Sequence, residues 1–285
     1  MLELYNFSAM TNISIFARPY FLGKDDEALG AEYLYRGTSL IRGEQIAQSI
    51  KGKYNPTSGF EFDICIYLKP KSLDNIKDGT YVDVSDAGEY LVKLLEDREK
   101  IKVIASSKPS YELLKKRLKN KIFLIPEHHC NFERAKRERR QITTCGFLGT
   151  PRSFTYPVSK MRKKLAKIGF KFITNFNWKN RQDVIDFYKQ IDIQIVWYEF
   201  DNNPFKHPTK YINAASFGIP TIANRLAGCK EWEDNYIAVN SIDSMITEVE
   251  KMKNKDYYDA WANKIAKAAE AYHIDKIAQK YKKLT

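Results

Sequence analysis

Short apolar runs alternate with amphipathic segments along most of the chain. The run 62–68 is almost unbroken in apolar residues, as is typical of a strand buried on both faces. Val158, Met161, Leu165 and Ile168 recur at helical spacing and predict one apolar face of a helix. Because strands and helices alternate, the pattern predicts βαβ units with parallel sheets.

The predicted elements fall into two series. The first series has strands at 13–17, 62–68, 81–84, 102–105 and 122–125, and the second has strands at 142–148, 170–174, 191–197 and 219–223. Helices are predicted at about 39–50, around 91–95, from about Pro109 to about 118, at 184–189, at 209–217, around 242–252 and in the tail from about 257 to 281. Two such series predict two Rossmann-like lobes whose parallel sheets face a central cleft.

The most charged stretch of the chain, 134–140, separates the two series. We therefore predict a first lobe at 1–133, a basic linker at 134–141, a second lobe at 142–256 and terminal helices at 257–285. The charged stretch fits either a solvated linker or a site for a polyanion, and its composition does not decide between them.

Length and composition favour a folded protein. The 285 residues are 44% hydrophobic, which is enough to form real cores and excludes disorder. Apolar runs such as 191–197 are too short to span a bilayer. Residues 1–12 lack a basic region followed by an apolar core, so we expect no secretory signal. Met10 stands just before the first strand, and residues 1–9 read as a loose extension.

The four cysteines are scattered without C-x-x-C spacing, at Cys65, Cys130, Cys145 and Cys229. This spacing argues against a zinc site and against a disulfide scaffold. We therefore expect a reduced, cytoplasmic protein, in the host cytoplasm if a phage encodes it.

The net charge of +12 attracts polyanions such as nucleic acid, anionic membranes and diphosphate ligands. Composition alone does not choose among these ligands, and a basic surface without a ligand accounts for the charge equally well.

Candidate phosphate-binding residues follow the strands of the second lobe. In open α/β sheets, ligands bind at the carboxyl ends of strands, where helix N-termini and basic side chains stabilise negative charge. Gly149 allows the backbone to approach a phosphate, and Arg152, Lys206 and Lys210 supply positive charge. Each of these cations also fits a solvated surface position.

One segment resembles a known signature. Residues 206–223, KHPTKYINAASFGIPTIA, are similar to the nucleotide-sugar signature of GT-B glycosyltransferases of the "group 1" kind, and Gly228-Cys-Lys-Glu231 resembles the turn that follows it. The resemblance implies a GT-B fold and a nucleotide-diphosphate sugar as donor, UDP- or GDP-linked. It makes the second lobe the donor-binding lobe and the first the acceptor side. The implied donor-binding residues are Gly149, Arg152, Tyr198, Lys206, Thr209, Lys210, Asn213, Gly228 and Glu231.

The chain departs from that signature at two places. Asn213 stands where the family has a glutamate for the donor ribose, and Phe205 and Lys206 stand where retaining members have another glutamate. The stereochemical outcome therefore stays open. No D-x-D triplet occurs, so the sequence indicates no metal at the diphosphate, and we expect arginine and lysine to take that role.

The acceptor side needs a group that deprotonates or orients a hydroxyl. The candidates are Asp83, Asp86 and His128, although Asp86 also fits a helix cap and His128 also fits packing at the hinge. Gly37, Thr38 and Ser39 fit either a phosphate loop or the cap of the first helix. Lys69 follows a strand and is expected to face the cleft.

Three functions fit these features. The first is a glycosyltransferase acting on a glycan, a lipid-linked molecule or a small molecule. The second is a phage-type enzyme that glycosylates hydroxylated pyrimidines in duplex DNA, favoured by the net charge and the basic stretches 115–121 and 134–140. The third is a GT-B-like protein that binds its ligand without turnover.

Overall fold

The computed structural model describes residues 12–17, 37–86, 88–136, 139, 141–199 and 203–285. Within these residues, two parallel sheets are flanked by helices, which confirms the predicted α/β class. The suggested N-terminal extension and Met10 lie outside the described residues, as do Arg137, Glu138 and Arg140 of the linker. None of the helices described is long and apolar enough to cross a membrane.

The first sheet has six strands in the order β2-β1-β3-β4-β5-β6. They are β1 (Ile13–Phe16), β2 (Lys53–Tyr54), β3 (Ile64–Leu68), β4 (Tyr81–Asp83), β5 (Lys102–Ala105) and β6 (Ile122–Leu124). Its helices are α1 (Gln45–Ile50), which continues a π-helical turn at Ser39–Glu44, α2 (Glu89–Glu96) and α3 (Lys108–Arg117). Ser107 begins α3 with a capping box to Ser110.

The second sheet has five strands in the order β11-β10-β9-β7-β8. They are β7 (Thr144–Leu148), β8 (Lys171–Asn175), β9 (Ile193–Val196), β10 (Thr221–Asn224) and β11 (Ile237–Val239). The helices of this part are α4 (Val158–Lys167), α5 (Arg181–Gln190), α6 (Thr209–Ser216) and α7 (Ile242–Lys251). β9 is buried along its whole length, as expected for a central parallel strand covered on both faces.

The two last helices pack on different sheets. Helix α8 (Lys255–Ala269) packs against α6, and α9 (Ile274–Tyr281) returns to the first sheet and packs against α1. Ile274, Ile277 and Tyr281 of α9 share one buried cluster with Ile46 of α1. The end of the chain therefore connects the two sheets, in addition to the linker.

A buried ion pair fixes the start of the first helix to β4. Arg42 and Asp83 are almost fully buried, and the Arg42 Nη2 atom lies 2.6 Å from Asp83 Oδ2. Arg42 also donates to the carbonyl of Ile125 at 2.8 Å, and Asp83 Oδ1 accepts from the Ser85 amide at 3.0 Å. Since both ions are desolvated, each depends on the other for its stability.

We predict that Arg42→Met destabilises the fold by about 3–5 kcal/mol, because it leaves the Asp83 carboxylate buried without its ion-pair partner. Urea unfolding of the purified protein measures the change. The same substitution at the exposed Arg117, which pairs with Glu89, is the matched control and should have little effect. Equal losses from the two variants would contradict the assigned importance of the buried pair.

Candidate functional site

A cavity of about 320 Å³ lies where the carboxyl ends of strands from both sheets meet. Its walls come from the segments after β4, β6, β7 and β9, together with the starts of α1 and α6 and one face of α5. Several residues expected from the sequence line it: Gly37, Thr38, Asp86, His128, Gly149, Lys206, Thr209, Lys210 and Asn213. The predicted acceptor side and donor side thus contribute to one cavity.

Two glycines make room for the two lysines of the cavity. A Cβ atom on Gly149 would lie 3.0 Å from Lys210 Cε and 2.8 Å from the Phe147 ring. A Cβ atom on Gly228 would lie 2.6 Å from both Cβ and the carbonyl oxygen of Lys206. These separations are shorter than van der Waals contact, so a larger residue at either position would displace the neighbouring lysine.

The two lysines place positive charge at the start of α6. Burial and the neighbouring Lys206 lower the pKa of Lys210. The Lys206 Nζ atom lies 5.2 Å from the centre of the Tyr198 ring, within the range of a cation–π contact. Tyr198 lines a small adjoining cavity together with both lysines, so it positions Lys206 from outside the main cavity.

His207 lies between two carboxylates that belong to the other sheet. Its Nε2 atom is 3.2 Å from Asp86 Oδ2, and its Nδ1 atom is 3.2 Å from Glu127 Oε2. Thr209 Oγ1 lies 2.6 Å from His207 Nδ1 and donates to Glu127. Asp86 follows β4, Glu127 follows β6, and His207 precedes α6, so this cluster bridges the cleft.

The charges of the cluster stabilise one another. Burial alone would lower the pKa of His207, but Glu127 and Asp86 outweigh burial and raise it. Burial would likewise raise the pKa of Asp86, but His207, Lys69 and Lys206 hold it well below its usual range. The arrangement favours an imidazolium facing two carboxylates.

Three expected donor-site residues lie outside the cavity or make other contacts. Arg152 is exposed on the 3₁₀ turn at Pro151–Ser153 and does not line the cavity, whereas the following residue, Ser153, does. Glu231 accepts from the amide of Lys108 at 2.8 Å and so caps α3 from the other sheet. Asn213 lines the cavity, but its Oδ1 atom accepts from the Cys130 amide at 2.8 Å.

On the acceptor side, Asp83 has a fully buried side chain that is paired with Arg42, and it does not line the cavity. Ser39 lies buried in the π-helical turn. Lys69 follows β3 in a left-handed conformation with φ of 48°, and its amide donates to the Asp83 carbonyl. Both ring nitrogens of His128 lie near carbonyl oxygens, and burial lowers its pKa.

Sequence reasoning missed Glu127 and His207. Glu127 directly precedes the predicted residue His128, and His207 lies between two predicted residues, Lys206 and Thr209. The strand-end rule that selected their neighbours applies equally to both, so the signal was present. What the sequence did not reveal was that the two side chains meet across the cleft. No group of three or more metal-ligating side chains is placed to hold a metal ion within the ranges described.

A second cavity, of about 550 Å³, lies between the linker and α8. Its cations are mostly paired: Arg134 binds Glu270, Lys255 binds Asp259, and Arg139 binds the buried Asp192. It is not formed by strand ends of both sheets. We therefore place the candidate site in the smaller cavity.

No protein-family model matches the chain, and no curated protein matches it. Solved structures do match. The pneumococcal O-GlcNAc transferase GtfA, solved with UDP and GlcNAc, superposes with a TM-score of 0.53 at 12% identity over 77% of this chain and 56% of that one. This chain therefore spans little more than half of GtfA.

Two other solved structures match over more of their length. AviGT4, a glycosyltransferase involved in avilamycin A biosynthesis, has a TM-score of 0.51 at 10% identity, covering 87% of this chain and 88% of that one. The DNA-modifying enzyme β-glucosyltransferase has a TM-score of 0.53 at 12% identity, covering 96% and 99%. At these identities the likeness establishes the fold: two parallel sheets with flanking helices, arranged as in GT-B glycosyltransferases.

The raised pKa of His207 predicts a pH-dependent contribution to stability. Because the folded pKa lies above the unfolded value of 6.5, the contribution is fully present below that value and is lost as pH rises through the folded pKa. The stability lost in His207→Gln should therefore shrink as pH rises from below 6.5 through the folded pKa. Urea unfolding of both proteins across this range measures it.

His128→Gln is the matched control. Burial lowers the pKa of His128, so its contribution to stability changes with pH in the opposite direction to that of His207. Its effect should grow as pH rises. Parallel pH trends for the two variants would contradict a charged His207.

Proposed function

We propose that the protein is a glycosyltransferase that moves a sugar from a nucleotide-diphosphate sugar onto an acceptor hydroxyl. The observation that carries this proposal is the joint placement of Lys206 and Lys210 at the start of α6, inside a cavity shared by both sheets. The GT-B fold supports it, since the solved neighbours with that fold are glycosyltransferases.

The start of α6 suits a diphosphate. Pro208 occupies the N-cap and has no side chain that could bond to the first amides of the helix. Helix amides and basic side chains together form a site for anions. The two lysines and these amides would stabilise the charge that develops on the diphosphate as the glycosidic bond breaks.

The opposite wall supplies a base. Asp86 lies at the mouth of the cavity, with 35% of its side chain exposed, so an acceptor can reach it. In the reaction that we propose, the acceptor oxygen bonds to the anomeric carbon while the bond to the diphosphate breaks. Asp86 accepts the proton of the acceptor hydroxyl.

Lys206→Gln and Lys210→Gln should each weaken binding of UDP or GDP by about 10- to 100-fold, as expected when a charge-assisted contact is lost. Thermal-shift titration with both nucleotides measures this, because a bound ligand stabilises the fold. An exposed lysine of α8, Lys267, provides the control Lys267→Gln, which should bind as the unaltered protein does.

Two outcomes would contradict the proposal. Binding of neither nucleotide would remove the donor site from this cavity. Binding without transfer, across a panel of nucleotide-sugars and acceptors, would favour a non-catalytic binding protein instead.

A second candidate function is glycosylation of duplex DNA. It is favoured by the net charge of +12 and by the likeness to the DNA-modifying β-glucosyltransferase along almost the whole of both chains. The basic stretches singled out in the sequence support it less, because Arg117, Arg134 and Arg139 are engaged in ion pairs. Exposed cations at the strand ends support it more: Lys108, Arg152 and Lys230.

If the acceptor is DNA, duplex binding should weaken steeply with salt, since each neutralised phosphate releases counterions. Replacing Lys108, Arg152 and Lys230 together by glutamine should reduce the slope of log K against log[salt] by up to about 3. Fluorescence anisotropy with a duplex carrying hydroxymethylated pyrimidines measures the slope. The control replaces Lys276, Lys280 and Lys283, exposed lysines near the C-terminus. Salt-independent binding, or an equal change of slope in both triple variants, would contradict binding of DNA by the strand-end cations.

A further inference from the structure

The two carboxylates around His207 differ in how firmly they are held. Glu127 is buried, with only 2% of its side chain exposed, and it is fixed by Thr209 as well as by His207. Asp86 is 35% exposed, stands at the cavity mouth and has a left-handed backbone with φ of 54°. Glu127 is therefore a fixed partner of the imidazole, whereas Asp86 can be replaced by a ligand.

His207 also lies among the cations of the cavity. It directly follows Lys206 and precedes the first turn of α6, from which Lys210 projects. A buried cation without a counter-ion is strongly unfavourable, so the positive charge of His207 is stabilised by Glu127 at Nδ1 and by a second anion at Nε2. In the free protein Asp86 supplies that anion.

We propose that His207 is a third cation of the donor site: its Nε2 exchanges Asp86 for the diphosphate, while Glu127 holds the ring. This inference rests on the proposed glycosyltransferase function. It adds His207 to the donor site, a role that neither the sequence analysis nor the likeness in fold assigns to this residue. The exchange releases Asp86 toward the acceptor once the donor is bound, which couples donor binding to the exposure of the base.

Other charges face His207 and bear on its protonation. Glu231, like Glu127 and Asp86, interacts favourably with an imidazolium, whereas Arg42 opposes it. Glu127 Oε1 is buried and has no hydrogen-bond partner among the residues described, so its charge is available to the imidazolium. The carboxylates outweigh Arg42, and the pKa of His207 is raised.

The test measures the affinity for UDP and GDP by isothermal titration calorimetry, in the unaltered protein and in three variants. His207→Gln should weaken binding about tenfold or more at about pH 6, and the ratio of the two dissociation constants should fall toward one as pH rises. The ratio cancels the titration of the nucleotide, since both proteins bind the same ligand.

The two carboxylates should respond with opposite signs. At about pH 6, Asp86→Asn should tighten nucleotide binding, because it removes the anion that competes for Nε2. Glu127→Gln should weaken binding and shift the pH dependence to lower pH, because it removes the group that keeps the ring charged. Uridine, which has no phosphate, should bind all four proteins equally.

The outcomes separate the two proposals. If the unaltered protein binds neither nucleotide, the donor site and this inference both fall. If it binds UDP or GDP and His207→Gln binds with the same affinity at every pH, only the role of His207 falls. Weaker binding by Asp86→Asn and Glu127→Gln alike would also overturn the exchange, since it would make both carboxylates structural supports.

Discussion

Positive charge inside the cleft is the constraint on which the site depends. Lys206 and Lys210 are partly buried and line one cavity, and His207 is held between carboxylates. Cations so close together repel one another and lose much of their hydration, which costs several kcal/mol unless an anion lies near. In the free protein, the anions are carboxylates from the opposite sheet. A diphosphate that occupies the cavity would take over this role. The positive charge that pairs with the opposite carboxylates in the free protein therefore also favours binding of the diphosphate.

The fold provides that constraint with few special residues. Parallel strands end at one edge of each sheet, and the two edges face one cavity, so strand-end loops from both halves meet. Gly149 and Gly228 let the lysines approach the backbone closely. On the first sheet, the Arg42–Asp83 pair fixes the start of α1 beside β4, and Tyr281 of α9 packs near Arg42. The return of α9 to the first sheet therefore supports the wall that holds Asp86 and Glu127.

Much of the fold was predictable, because parallel strands buried on both faces leave strong apolar runs. The strand Lys102–Ala105 was predicted with its observed bounds, and α6 and α7 were predicted to begin where they do. β2 was missed because it has only two residues, and β11 because its three residues lie behind a charged 3₁₀ segment. Such short strands depend on pairing with neighbours, which a local pattern does not contain.

The site was predicted less completely for a related reason. Lys206, Lys210 and Gly149 follow from the rule that ligands bind at strand ends. Asp83 satisfies the same rule and yet is buried in an ion pair with Arg42. A local pattern does not reveal this pair, because Arg42 lies 41 positions away in sequence. The pairing of His207 with Glu127 likewise joins distant segments. Spacing identifies candidate residues, whereas long-range pairing decides which of them face the cavity.

A crystal structure with UDP or GDP bound tests the central claim most directly. The account predicts both phosphates in the cavity between the sheets, within hydrogen-bond distance, about 3 Å, of Lys206, Lys210 or the first amides of α6. A nucleotide in the larger cavity between the linker and α8, with no phosphate near Lys206, Lys210 or the first amides of α6, would contradict it.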